Sequence, residues 1–428
     1  MNFSRLLYQH IFWRGWHVLS SLVLNILIAR VFDAGPSGLL FYQISAYSLI
    51  IQLLSFSLES GIGYYMARKE VNISKQVSLS VAWTLLSALI FAGLFPFFTN
   101  ILKLPTNYPV FFPVAFFVGN LLISFCNLLF YSRFRFIFPS ATALIVNLIM
   151  ILLLCIHQFW YPFFSDGEFT ITYFLAYLLH GLVMLLGVFI VLRTRITSIP
   201  SADQLKRIFR YASYAFFANL LFFLLNRVDY WFIRLYCSPA DLGNYIQVSK
   251  IVQLFFLLPS MVSTVIFPIV AGGRSAALTG TIRILSVALL VLYSIACLIL
   301  ALTGNWLFPW LYGESFSNMY IPFLLMIPGI LAISILYPYT AYYSGTNRIG
   351  VNIRGCVMAL LVVITADALL IPYYGMRAAA LIASTGFCIF QFYVFSVFRR
   401  EFYMSIRSMF SLNRYEWMQF KNTLKFRA

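Results

Sequence analysis

The chain has 428 residues, 62% of them hydrophobic and only 10% charged, with a formal net charge of +17. A soluble globular domain carries about a quarter charged residues, so this balance excludes a soluble fold. The six cysteines form no C-x-x-C pair, no H-E-x-x-H occurs among the four histidines, and no G-x-x-x-x-G-K-[ST] is present, so nothing points to a disulfide framework, a zinc hydrolase, a P-loop nucleotidase or any other cofactor site.

Apolar runs of eighteen or more residues match the roughly 30 Å hydrocarbon core of a bilayer. They predict an all-α polytopic membrane protein of about twelve transmembrane helices, at 13–32, 39–66, 77–99, 109–131, 136–157, 170–192, 211–236, 242–271, 282–302, 319–343, 350–371 and 376–397. The first run follows Arg14 without a small-residue cleavage site, and is read as a retained helix rather than a signal peptide. His10 and His17, near its start, read as interfacial residues.

An even number of spans places both termini on one side, and Lys and Arg then decide which side. With the termini cytosolic, 23 Lys and Arg fall on inner segments and only four, Arg30, Lys103, Arg234 and Arg377, on outer ones. The positive charge is therefore a topology signal and a surface for anionic membrane lipid, not a nucleic-acid patch. The expected organisation is an N-terminal six-helix bundle over 1–192, a cytosolic linker over 193–210, a C-terminal six-helix bundle over 211–397 and a basic tail over 398–428. The tail mixes aromatic with basic residues and reads as an amphipathic segment on the inner leaflet. The longest outer loop, near 158–170, is too small for a catalytic domain, which argues against an enzyme.

Sliding the chain by 204 positions lays "IARVFDAGPSGLLFYQIS" (28–45) over "FIRLYCSPADLGNYIQVS" (232–249) without a gap. Arg30 meets Arg234, Gln43 meets Gln247 and Ser45 meets Ser249. Both segments span the turn between the first and second helix of a half, as parallel six-helix repeats require.

These segments, with "FLLNRVDYWFIRLYCSPADLGNYIQVSKIVQLFFLLPSMVSTVIFPIVA", "LYGESF" (311–316) and "LLIPYYGMRAAALIAS" (369–384), resemble the bacterial O-antigen and polysaccharide flippases. That family belongs to the multidrug/oligosaccharidyl-lipid/polysaccharide exporter superfamily. Asp367 stands where the family more commonly has Asn, and Arg377 where Gly is more usual. The resemblance implies two six-helix bundles around a central cavity, in the bacterial inner membrane. It implies transport of an undecaprenyl-pyrophosphate-linked oligosaccharide from the cytoplasmic to the periplasmic leaflet, alongside polysaccharide polymerase and chain-length proteins of the same pathway. The rival readings are an O-antigen polymerase and a multidrug exporter.

The residues that ask for a function are the charges within apolar spans, since each costs roughly 2.5–3.5 kcal/mol at mid-membrane. Arg227 and Asp229 lie two apart, so a continuous helix would point them about 200° away from each other. Arg227 would share a face with Tyr230, Trp231 and Arg234. Asp229 and Lys250, on consecutive helices, are the expected charge pair. Cavity cations for a pyrophosphate are Arg227, Lys250, Arg30 and Arg234, because guanidinium groups match phosphate geometry. Asp229, Asp367 and Glu59 are the candidate coupling or charge-pair carboxylates. Tyr230, Trp231 and Tyr245 are candidates for stacking on sugar faces. Pro259 and Pro268 are expected to let the eighth span bend.

Overall fold

The computed structural model describes residues 3–67, 71–105, 108–133, 135–271 and 279–403, and these contain helices with no strand among them. The expected basic tail beyond residue 403 lies outside the described residues. In chain order the helices are α1 (Phe3–Phe32), α2 (Ala34–Ser55), α3 (Leu58–Ala67), α4 (Ile73–Leu102), α5 (Phe111–Ser132), α6 (Ile137–Phe159), α7 (Asp166–Val191), α8 (Ala202–Leu225), α9 (Val228–Tyr236), α10 (Pro239–Leu254), α11 (Leu257–Ala271), α12 (Thr279–Tyr312), α13 (Tyr320–Gly345) and α14 (Ile349–Glu401). A 3-10 turn, Glu314–Met319, joins α12 to α13.

Among the described residues, eleven stretches are long and apolar enough to cross a membrane. The last, α14, has 53 residues, more than twice the ~20 that a crossing needs. Gly375 interrupts it with φ 60° and ψ −147°, a left-handed conformation that glycine adopts without a Cβ clash. The two sides of that kink are the predicted eleventh and twelfth spans, so the chain is the expected polytopic all-α protein. The predicted linker is shorter than expected, because residues 202–210 already belong to α8.

Three predicted continuous spans are broken. The eighth parts at Phe255 and Phe256, between α10 and α11. Pro259 is the cause: it has no N–H for the carbonyl four residues back, and its ring crowds that carbonyl. The freed oxygen of Phe255 accepts the Tyr293 hydroxyl of α12 at 2.5 Å. The second span parts between α2 and α3, where Phe56 and Ser57 take φ of 53° and 48°. There the freed Leu54 carbonyl accepts Trp83 Nε1 at 3.0 Å and Ser87 Oγ at 3.3 Å, both from α4. Ser57 Oγ accepts Gln52 Nε2 at 2.9 Å and Asn219 Nδ2 at 3.2 Å. Neither proline nor glycine marks this break, so side-chain hydrogen bonds sustain the two left-handed residues. The seventh span parts between α8 and α9, at Asn226 and Arg227.

The chain divides into two compact units, Met1–Leu220 and Leu221–Ala428. In the first, α5 lies against α7 with backbones in contact. A Cβ on Gly119 would fall 2.3 Å from the Tyr177 carbonyl oxygen, and one on Gly181 would fall 2.7 Å from the Gly119 oxygen. Small residues permit this approach where helix association in lipid relies on close packing. The first part of α8 closes on α3: a Cβ on Gly61 would stand 2.7 Å from the Ile208 oxygen. Phe56 stacks on Phe216 with centroids 4.8 Å apart, and Tyr64 on Tyr211 at 4.3 Å. In the second unit, α13 packs along α14, and the Gly329 N–H donates to Ser384 Oγ at 2.7 Å.

The repeat read from the sequence has local counterparts. Arg30 and Arg234 each occupy the last turn of a helix, α1 and α9. Gln43 and Gln247 are both buried, as are Ser45 and Ser249. The correspondence stops at the seventh span, because α1 runs unbroken where α8 and α9 separate.

Candidate functional site

The break at Asn226 and Arg227 answers why two charges interrupt an apolar span. A helix that restarts inside the membrane leaves backbone N–H groups without intrahelical partners and a positive end to its dipole. Asp229, second residue of α9, meets that need. Glu59 is likewise the second residue of α3, just after the break in the second span. Both carboxylates thus sit where a helix begins again.

Asp229 is 3% exposed. Its Oδ1 accepts the Tyr230 backbone N–H at 2.9 Å, and its Oδ2 accepts the hydroxyl of Tyr245 from α10. The rings of Tyr230 and Tyr245 meet edge to face, with centroids 5.8 Å apart. This corrects the expected pairing of Asp229 with Lys250: the Asp229 oxygens are occupied by a backbone amide and a phenol. Position explains the choice: Asp229 lies in the first turn of α9, where backbone N–H groups need acceptors from outside the helix ladder, and the Tyr230 N–H meets one oxygen while the Tyr245 hydroxyl of α10 reaches the other.

Arg227 precedes the first residue of α9. Its Nη2 donates to Gln253 Oε1 at 2.9 Å, and its guanidinium lies 5.2 Å from the centroid of the Tyr230 ring. The expected Arg227–Tyr230 neighbourhood is therefore present although the helix breaks. Among the described residues no carboxylate stands within ion-pair distance of Arg227. Lys250, half-buried on α10, is within electrostatic range of Arg227. Asp229 is within electrostatic range of Arg227 as well, so a carboxylate already lies near these cations.

Asp367 of α14 is fully buried, and neither carboxylate oxygen has a hydrogen-bond partner among the described residues. It interacts electrostatically with Asp229 and with Tyr245. A buried carboxylate with no donor is held neutral by a proton or compensated by a cation. The donor set, two carboxylates and a phenol, fits either. The cluster therefore joins two cations, two carboxylates and two tyrosines on α9, α10 and α14 of one unit.

The other candidates lie elsewhere. Arg234 is seven residues beyond Arg227, about 10 Å along α9, and Arg30 lies in the last turn of α1. Trp231 Nε1 is buried without a hydrogen-bond partner among the described residues. Gln253, which holds Arg227, was absent from the sequence-derived set. Its signal was the polar series Gln247, Ser249, Lys250 and Gln253 within one apolar span.

Residues 41–321 match a family model described as polysaccharide biosynthesis protein. No curated protein sequence matches the chain. Among solved structures, the lipid II flippase MurJ in an inward closed conformation aligns with a TM-score of 0.68 at 12% identity, over 99% of this chain and 93% of that one. An inward-facing multidrug resistance MATE family transporter of the MOP superfamily aligns with a TM-score of 0.69 at 13% identity, over 90% and 94%. The Vibrio cholerae MATE transporter VcmN in its bent form aligns with a TM-score of 0.63 at 13% identity, over 95% and 97%. With two thirds of its length matched by one family model, the chain belongs to the polysaccharide biosynthesis protein family, and it shares the fold of these solved transporters.

Proposed function

We propose that this protein is a flippase. It moves an undecaprenyl-pyrophosphate-linked oligosaccharide from the cytoplasmic to the periplasmic leaflet of a bacterial inner membrane by alternating access, with both termini cytosolic. The family match supports a polysaccharide precursor as cargo, and the fold supports transport. The observation that carries the reading is Arg227: a guanidinium at a helix break, held by Gln253 and Tyr230 with no carboxylate in ion-pair range, and close to Lys250. A guanidinium so placed keeps donors for a diphosphate, which it binds through a fork of hydrogen bonds. Tyr230 is too buried to stack on a sugar, at 1% exposed, and so is Tyr245, at 0%; their role is to orient Arg227 and Asp229. Asp229 and Asp367 supply a place for a coupling proton or monovalent cation.

The test is flux of a lipid-linked oligosaccharide in proteoliposomes, read by protection of the glycan from an external glycosidase. The intact protein should transport it, and Arg227→Ala should lose most of the flux while remaining folded. Transport of cationic drugs with no movement of the glycan would instead establish a multidrug exporter.

A further inference from the structure

Within the Met1–Leu220 unit, α1, α5, α6 and α7 enclose a cavity of about 190 Å³ lined in part by His17, Asn127, Tyr131, Asn147, Tyr177 and His180. Roughly 10–15 Å³ of such space is enough for one water, so this cavity has room for several. Asn147 is buried and donates through Nδ2 to Ser20 Oγ at 3.0 Å and Ser21 Oγ at 2.9 Å. His180 is 7% exposed, and its Nε2 is buried with no hydrogen-bond partner among the described residues. A buried polar atom in that position is satisfied by water. Among the described residues, no Asp, Glu, Lys or Arg lines the cavity. It offers no carboxylate to a metal cation and no fixed positive charge to an anion. What it does offer is two imidazoles in a hydrated polar chamber, the side chain whose unperturbed titration falls nearest neutral pH.

We propose that His17 and His180 form a hydrated proton-binding site inside the N-terminal unit. The lone pair of His180 Nε2 takes a proton from a cavity hydronium: an N–H bond forms, an O–H bond breaks, and a water remains. The imidazolium is solvated by the water and by the asparagine and tyrosine oxygens, and it returns the proton to water when the site empties. The titratable groups around it are His17, with Arg14 one turn before it on α1, Tyr131 on α5, and Tyr177 on α7. Tyr177 is bonded through its hydroxyl to that of Tyr173 at 3.1 Å. α6 contributes Ser140 and Asn147 and three apolar residues to the lining, with no titratable group. A second proton would place two cations in one small chamber, so the pair binds one proton at a time. The site is in a different unit from Asp229 and Asp367, and it does not depend on which cargo is moved.

Four histidines in the whole chain make the test direct. The protein is labelled with ¹⁵N-histidine in lipid nanodiscs, and ring-nitrogen spectra are followed from about pH 4 to pH 8, spanning the ordinary histidine range. The double variant His10→Gln, His157→Gln leaves only the proposed pair and assigns their signals without touching the site. Two linked transitions amounting to one proton are expected within this range, and His180→Gln should move the His17 midpoint by half a pH unit or more. Rings that stay neutral throughout, or two rings that titrate independently, would overturn the proposal. The unsubstituted protein alone decides the first point, so a variant that misfolds does not obscure it.

Discussion

Tyr245 on α10 donates its hydroxyl to the Asp229 carboxylate at the start of α9, tying together the two helices that flank the turn at Cys237 and Ser238. Replacing Tyr245 by Phe leaves that oxygen buried and unsatisfied. A stranded buried acceptor costs about 1–3 kcal/mol. Tyr245→Phe should therefore lower the thermal unfolding midpoint in detergent by several degrees. Asp229→Asn, which keeps an oxygen for the phenol and removes the charge, should lower it less. Equal losses would mean that the charge itself is what the tyrosine stabilises.

Arg227 depends on Gln253 for its aim. Gln253→Leu keeps the guanidinium but removes its 2.9 Å acceptor. Flux should fall several-fold, with less loss than in Arg227→Ala. Arg227→Lys should also be impaired, because an ammonium cannot make the fork of parallel bonds. Full activity of the lysine variant would show that point charge alone suffices.

The break between α10 and α11 makes a two-residue test. In the native protein Tyr293→Phe strands the Phe255 carbonyl that Pro259 leaves open. With Pro259→Ala the backbone can close the helix over that carbonyl, and the tyrosine is no longer needed. The double variant should recover about 1 kcal/mol relative to the sum of the single changes, measured as unfolding free energies in a mutant cycle. Additive effects would sever the link between the proline and the tyrosine.

Gly119 has no room for a methyl group, since a Cβ there would stand 2.3 Å from the Tyr177 oxygen, whereas one on Gly93 would meet nothing within 4 Å. Gly119→Ala should separate α5 from α7 and destabilise the protein by about 1–3 kcal/mol. Gly93→Ala, on the exposed side of α4, should be neutral or slightly stabilising. The comparison is read from unfolding midpoints of the two variants.

A cargo with two negative charges leaving a negative interior gains about 2.3 kcal/mol per charge per 100 mV. On the proposed function, collapsing the potential at matched pH should slow flux in valinomycin-clamped proteoliposomes. Flux that ignores the potential and follows the pH gradient would favour carboxylate- or histidine-coupled antiport over electrophoretic export.

Composition and the lengths of the apolar runs determined the membrane class, the all-α architecture and the twelve crossings, because bilayer thickness imposes them on any chain. The kink at Gly375 lies in the predicted gap between 350–371 and 376–397, where glycine marks it. The repeat centred on Arg30 and Arg234 was legible for the same reason, since a duplicated turn keeps its own local pattern. The charges at Arg227, Asp229, Lys250 and Asp367 stood out because hydrocarbon penalises them.

Tertiary structure decided what those charges do. Asp229 takes Tyr245 rather than Lys250 because the span breaks at Arg227, and the breaks at Phe56 and Arg227 carry no proline or glycine to announce them. They persist through side chains distant in sequence: Asn219 reaching Ser57, Trp83 reaching Leu54, and Gln253 reaching Arg227. The polar cavity around His17 and His180 was equally hidden, since four helices must close before two histidines 163 positions apart share one chamber. Local pattern records how often a chain must turn and cross a membrane. Which buried polar group finds which partner is settled only when helices far apart in sequence pack together.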